Sequence, residues 1–178
     1  MRGLITLFFL LSIGNTYAQK DQIQLKNALV IGQLDKPEDR FSIEVNVTEL
    51  FNSYGIKALP ALNVLKFGSS PDLLATDSVK TALTAKGIDT YVVVTVRGYD
   101  RNFKASDRKD DLITTLNAGS LFPIYRDEVT SVTFEFLFFR NGQMFASDIL
   151  KCSNVGSRDG VIKKLRKGIE KRLKKKWR

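Results

Sequence analysis

The paired carboxylates Asp110-Asp111 and Asp127-Glu128, one cysteine, one turn and a lysine-rich end are parts of this chain that could do chemistry. General acid and base catalysis needs two carboxyl groups across a cleft in different environments, whereas neighbours in a polar stretch read equally as a solvated turn. A calcium loop places carboxylates at alternating positions around a glycine, but Asp107-Arg108-Lys109-Asp110-Asp111 carries two cations inside it. Cys152 beside Lys151 would be an activated thiol if exposed in a positive environment. A lone cysteine at a strand end also reads as a small buried hydrophobe. Gly98-Tyr99-Asp100-Arg101-Asn102 ends a strand where α/β sheets place ligands, and it is equally an ordinary strand exit.

Other chemistries are excluded by composition. The chain has no histidine, which removes the Ser-His-Asp triad, the Cys-His pair and the HExxH zinc site. One cysteine removes an intramolecular disulfide framework and every multi-cysteine cluster. There is no glycine-rich phosphate loop and no GxSxG. No cofactor and no metal is implied.

The net charge of +9 is concentrated at one end of the chain. Residues 1–157 hold 17 Lys/Arg against 17 Asp/Glu, while residues 158–178 hold 11 Lys/Arg against Asp159 and Glu170. Within that end Val161, Ile162, Leu165, Ile169 and Leu173 recur at helical spacing, so residues 158–175 read as an amphipathic helix. Docking this stripe on the domain turns Lys163, Lys164, Arg166, Lys167, Lys171, Lys174, Lys175 and Lys176 outward as a surface for an anionic partner: lipid headgroups, an envelope polymer or an acidic protein. A solvated face whose charge complements the helix dipole is the alternative. Nucleic acid is disfavoured, since Trp177 is the one aromatic available for stacking there.

Residues 1–18 read as a secretory signal peptide. Arg2 begins it, an apolar stretch over residues 4–13 follows, and Thr16-Tyr17-Ala18 offers the small residues of a cleavage site. The apolar stretch is about half of the roughly 20 residues a membrane span needs, and no cysteine stands at the junction for lipid attachment. The expected organisation is a signal peptide over 1–18, an α/β domain over 19–157 and the basic helix over 158–178. Export to a bacterial periplasm or cell envelope, or out of the cell, follows.

The elements that would position these groups are legible in the patterning. Ala28-Leu29-Val30-Ile31-Gly32 is a short buried strand. Ile43, Val47, Leu50, Phe51 and Tyr54 share one helical face closed by Gly55, although Phe41, Ile43, Val45 and Val47 also alternate as a strand would; the glycine stop favours the helix. Ile56 to Phe67 predicts a strand that lies at an edge or carries a bulge, because it contains Pro60. Asp77 or Ser78 starts a second helix that Gly87 ends. Thr90 to Val96, apolar on both faces, predicts the central strand. Leu112, Ile113 and Leu116 before Gly119 suggest a short helix in the otherwise unreadable 98–128 stretch. Val129–Phe139 and Met144–Cys152 predict a hairpin across Asn141-Gly142. A two-residue turn would set Phe138 opposite Phe145, Phe134 opposite Ile149 and Glu135 opposite Asp148; a longer loop would relieve that last pair, so the register stays open. The order β-α-β-α-β-β-β-α predicts an α/β (α+β) fold, a mixed sheet with helices packed on it.

With ALVIG, DKPEDR, KALPALNVL, KTALTAKGIDTYVVVTVRGYDR and FEFLFFRNGQ in that order, the chain resembles the small exported envelope domains related to the N-terminal domain of TolB, including a bacterial domain of unknown function. The resemblance spans most of residues 28–152 and implies a non-enzymatic module that binds other envelope components. The basic C-terminal helix departs from that pattern. The leading expectation is therefore an exported binding or scaffold module; a membrane-surface structural protein and a small carboxylate- or thiol-dependent enzyme are the alternatives.

Overall fold

A computed structural model describes residues 22–66, 68–105, 109–119 and 122–178. The signal peptide read over residues 1–18 lies outside the described residues. Five strands, β1 (Asn27–Gly32), β2 (Lys57–Pro60), β3 (Thr90–Tyr99), β4 (Ser131–Arg140) and β5 (Gln143–Ser153), form one sheet in the order β2-β1-β3-β4-β5. The first three are mutually parallel, and β3, β4 and β5 are antiparallel, so the sheet is mixed. Four helices accompany it: α1 (Pro37–Ser53), α2 (Asp77–Ala85), α3 (Leu112–Asn117) and α4 (Arg158–Arg172). The α/β class expected from the sequence is the observed one.

Helix α1 settles the competition between alternation and helical spacing. Pro37 preorganises its start, and Glu38 and Asp39 complement its dipole. Its winding buries Ile43, Val47, Leu50 and Phe51 while leaving Phe41 58% exposed, so the alternation of residues 41–47 is divided between two faces. Gly55, at φ +77°, supplies the left-handed residue that ends it. The second strand is shorter than expected. It stops at Pro60, and residues 61–63 turn into a 3-10 helix. Pro60 cannot donate to a further strand, and β2 is indeed an edge.

The two parallel crossovers run in opposite directions, one from β1 to β2 and the other from β2 past β1 to β3, so connections of one hand place their helices on opposite sheet faces. One face packs against α1 and α4 around Val92, Val94, Phe134, Phe136 and Phe138. The other packs against α2, α3 and the 3-10 turns around Leu29, Val93, Leu83, Leu116 and Phe139.

Asn141 (φ +52°) and Gly142 (φ +78°) form the two-residue turn of the β4–β5 hairpin. The uninterrupted register does not hold. Phe139 pairs with Met144 but Phe138 pairs with Ala146, leaving a bulge at Phe145. Phe134 therefore faces Leu150 rather than Ile149, and Glu135 faces Ile149 rather than Asp148. The cause is side-chain parity. Without the bulge Lys151 would point into the core; with it Leu150 and Cys152 point inward and Lys151 is exposed.

Helix α4 starts at Ser157, whose hydroxyl accepts from the Gly160 N–H at 3.1 Å. Its stripe of Val161, Leu165, Ile169, Leu173 and Trp177 is wholly buried, while Ile162 is half-buried. A four-residue repeat drifts about 40° per step on an α-helix. Over Leu173–Trp177 the chain opens into a π turn, whose wider winding offsets this drift and returns Trp177 to the core. The Ile23 and Leu25 amides then donate to the Lys176 and Trp177 carbonyls at 2.9 and 2.7 Å, tying the start of the described chain to its end.

Candidate anion-binding face

Ten of the eleven cations of the C-terminal end fall into two groups, with the exposed Arg178 beyond them. Four are used to hold the helix down. Arg158 Nε donates to Asp39 Oδ1 at 3.0 Å, and Arg166 Nη1 donates to Glu49 at 2.7 Å and to Asn46 at 3.0 Å, joining α4 to α1. Arg172 and Lys176 ion-pair with Asp148 of β5 at 2.8 and 3.2 Å. Asp148 is buried and also accepts from Trp177 Nε1 at 2.9 Å, so two cations and one N–H donor of one short segment converge on one carboxylate. Arg166 and Lys176, expected to face outward, are thus half-buried and paired with the domain. A surface-bound arginine can still cover apolar area with its stem, but it is not free to meet a partner.

The second group is free. Lys163, Lys164, Lys167, Lys171, Lys174 and Lys175 are exposed, and among the described residues none of them makes an ion pair. Lys164, Lys167 and Lys171 border a groove of about 360 Å³ between α4 and the outer edge of β5. Leu150, Cys152, Ser153, Asn154, Gly168 and Arg172 complete it, with Lys151 on the β5 side. No carboxylate lines it. Gly168 makes the groove possible: a Cβ there would stand 2.5 Å from Leu150 Cδ1, so the helix approaches the strand as closely as it does because a side chain is absent. Lys151 lines it along β5, while the bulge turns its side chain to the opposite sheet face from Leu150 and Cys152.

The remaining candidates take structural roles. Cys152 is buried at 2% exposure, and burial pushes its thiol up to about 12, partly opposed by Lys164. It belongs to the core and lacks the exposure a reactive thiol needs. Asp111 caps α3, accepting from the Thr114 amide at 2.7 Å, and this bond lowers its carboxyl below the usual range. Asp127 and Glu128 lie on an exposed turn. Asp100 accepts from the Thr130 hydroxyl and amide and the Ser131 amide at 2.8 to 3.0 Å, which lowers its carboxyl and closes the strand exit onto β4. At the C-terminal ends of β1 and β3, Gln33, Arg97, Asp110 and Glu135 border a hollow of about 220 Å³. Glu135 there is buried and lies 3.5 Å from Arg97 Nε.

Sequence reasoning missed the buried carboxylates. Glu44 is fully buried and accepts from Arg40 Nε at 2.8 Å and from the Gly32 and Leu62 amides at 3.1 and 2.7 Å. It joins α1, the end of β1 and the 3-10 turn. Desolvation raises its carboxyl, opposed by Arg40 and the two amides. Asp39 accepts from Ile124 and Arg158. No sequence signal separates these from the exposed carboxylates of a helical first turn, because their partners lie far along the chain.

Among the described residues no helix is long and apolar enough to cross a membrane. No protein-family model matches the chain. Nor does any curated protein match it. Solved structures similar to it include lipoprotein GNA1162 from Neisseria meningitidis, at 14% identity and a TM-score of 0.45, covering 83% of this chain and 97% of that one. They also include the PelC dodecamer from Paraburkholderia phytofirmans, at 14% identity and a TM-score of 0.46, covering 88% of this chain and 91% of that one.

Proposed function

We propose that this protein is a non-enzymatic, exported cell-envelope module, at work in a bacterial periplasm or outside the cell, that engages an anionic partner through the exposed lysines of α4. The observation that carries this reading is the division of labour along one helix. Arg158, Arg166, Arg172 and Lys176 meet the carboxylates of the domain, while Lys163, Lys164, Lys167, Lys171, Lys174 and Lys175 are left without counter-charge among the described residues. Clustered like charges repel, and leaving six together costs stability unless a partner uses them. Dipole complementarity needs cations only in the last turn, whereas Lys163 and Lys164 stand in the second. Export is supported by the residue 1–18 pattern.

The test is binding of the processed protein to isolated bacterial envelopes and to anionic vesicles. The Debye length shrinks from about 10 Å at 0.1 M salt to about 3 Å at 1 M, so binding should weaken steeply over that range. Replacing the six free lysines by glutamine should abolish binding with little change in melting temperature, since no ion pair is lost. Undiminished binding of that variant at low salt would refute the reading.

A further inference from the structure

The reading above leaves the form of the anionic partner open. We infer that the lysine face serves a linear polyanion, a carboxylated or phosphorylated polymer, which lies in the groove between α4 and the outer edge of β5. This deepens the proposed function and rests on it.

Three observations favour a chain over a bilayer. First, a membrane-surface helix binds by burying its apolar face among the lipids. The apolar stripe of α4 is already spent: Val161, Leu165, Ile169, Leu173 and Trp177 are buried in the domain, and the large apolar side chains that are exposed, Phe41, Val45, Leu73, Ile113 and Phe145, belong to other elements. Second, three of the cations line one bank of a groove and do not stand only on a convex face. Lys164, Lys167 and Lys171 stand on the helix bank, and β5 over residues 150–154 forms the strand bank; the Lys151 side chain points to the opposite sheet face, where its Nζ donates to Asn102 Oδ1 at 2.9 Å. A flat surface would reach the outermost Lys163 and Lys174 and not the floor between the banks. Third, the groove has length. Lys164 and Lys171 are two helical turns apart, about 10 Å along the axis, which suits successive charges along a polymer.

The edge of β5 is shaped to match. Its alternation directs the backbone groups of residues 149, 151 and 153 away from β4. The pair at Ile149 is already occupied, because its amide donates to Asp148 Oδ1 at 2.9 Å and its carbonyl accepts from Arg172 Nη2 at 2.9 Å. This interrupts strand addition at Ile149, while the outward backbone groups of Lys151 and Ser153 lie beside the lysines. A charged chain needs no continuous ladder along this edge, whereas an added β-strand does.

The experiment compares two double variants that remove the same charge from exposed positions. Lys164→Gln/Lys171→Gln alters the helix bank of the groove; Lys163→Gln/Lys174→Gln alters the helix outside it. The probes are polygalacturonate, inorganic polyphosphate, and vesicles of phosphatidylglycerol. We expect the parent to bind at least one polymer, with affinity falling roughly 50-fold between 50 and 200 mM salt for about four contacts. The groove variant should lose at least ten-fold and the outer variant less than three-fold. Preference between the two polymers then identifies the anionic group. Equal losses in the two variants, or binding to vesicles without binding to either polymer, would overturn the groove while leaving the basic face in place. Binding to none of the three probes would overturn both readings.

Discussion

Replacing Trp177, the penultimate residue, should nearly unfold the protein. A basic C-terminus invites the view that its last residues are dispensable, yet Trp177 is fully buried. Its ring stands edge-on to Phe51 and Phe138 at centroid distances of 6.2 and 5.3 Å, and tilted to Phe136 at 4.8 Å. Truncating a buried Trp to Ala costs about 3–5 kcal/mol through lost transfer energy and the cavity left behind. The hydrogen bond from Nε1 to the Asp148 carboxylate adds about 1.5 kcal/mol or more, as bonds to ionised groups do. Trp177→Ala should therefore lose about 5 kcal/mol, comparable with the whole stability of a marginal domain. Trp177→Phe keeps most of the apolar contact and should lose about 2 kcal/mol, mainly the hydrogen bond. Urea unfolding followed by far-ultraviolet circular dichroism measures both. Because Trp177 is the sole tryptophan, its fluorescence in the parent reports the same transition, and the two signals should give one midpoint. A loss below about 1.5 kcal/mol for Trp177→Ala, or the red-shifted emission of a solvated indole in the folded parent, would refute the placement of this residue at the centre of the core.

Further predictions concern the other buried groups. Cys152, with its thiol pushed up to about 12 by burial, should resist alkylation by iodoacetamide at pH 8 in the native protein and react promptly in urea; fast native labelling would contradict its burial. Glu44 should make stability fall with rising pH. Its carboxyl is raised in the folded state from an ordinary 4.5, so above 4.5 the folded chain retains a proton that the unfolded chain has released. Its contribution is then fully present below 4.5 and lost as pH climbs through the raised value. Relative to Glu44→Gln, the parent should lose stability between pH 4 and pH 7, and a difference that is flat or of the opposite slope would show that Arg40 and the two amides outweigh desolvation.

Local rules made much of this protein legible from its sequence. The Pro37 start and Gly55 stop of α1, the Asn141-Gly142 turn, the doubly apolar β3 and the Pro60 edge are each decided within a few residues by φ preference, hydrogen-bonding capacity or periodicity. Their order then limits the connections to a mixed sheet. The concentration of charge in residues 158–178 is equally plain from the sequence, because it is a count. What only the tertiary structure decided are the matters that depend on which distant residues meet. The bulge at Phe145 arises because one register buries Lys151 and the other buries Leu150 and Cys152, a comparison made only once β5 packs on β4 and α4. That same choice turns Lys151 to the opposite sheet face and brings Asp148 under Arg172, Lys176 and Trp177. A sequence counts eleven cations in the last 21 residues. It takes the buried carboxylates Asp39 and Asp148, more than 100 residues and about 24 residues from their arginine partners respectively, to determine which cations are spent on the fold and which are left for a partner.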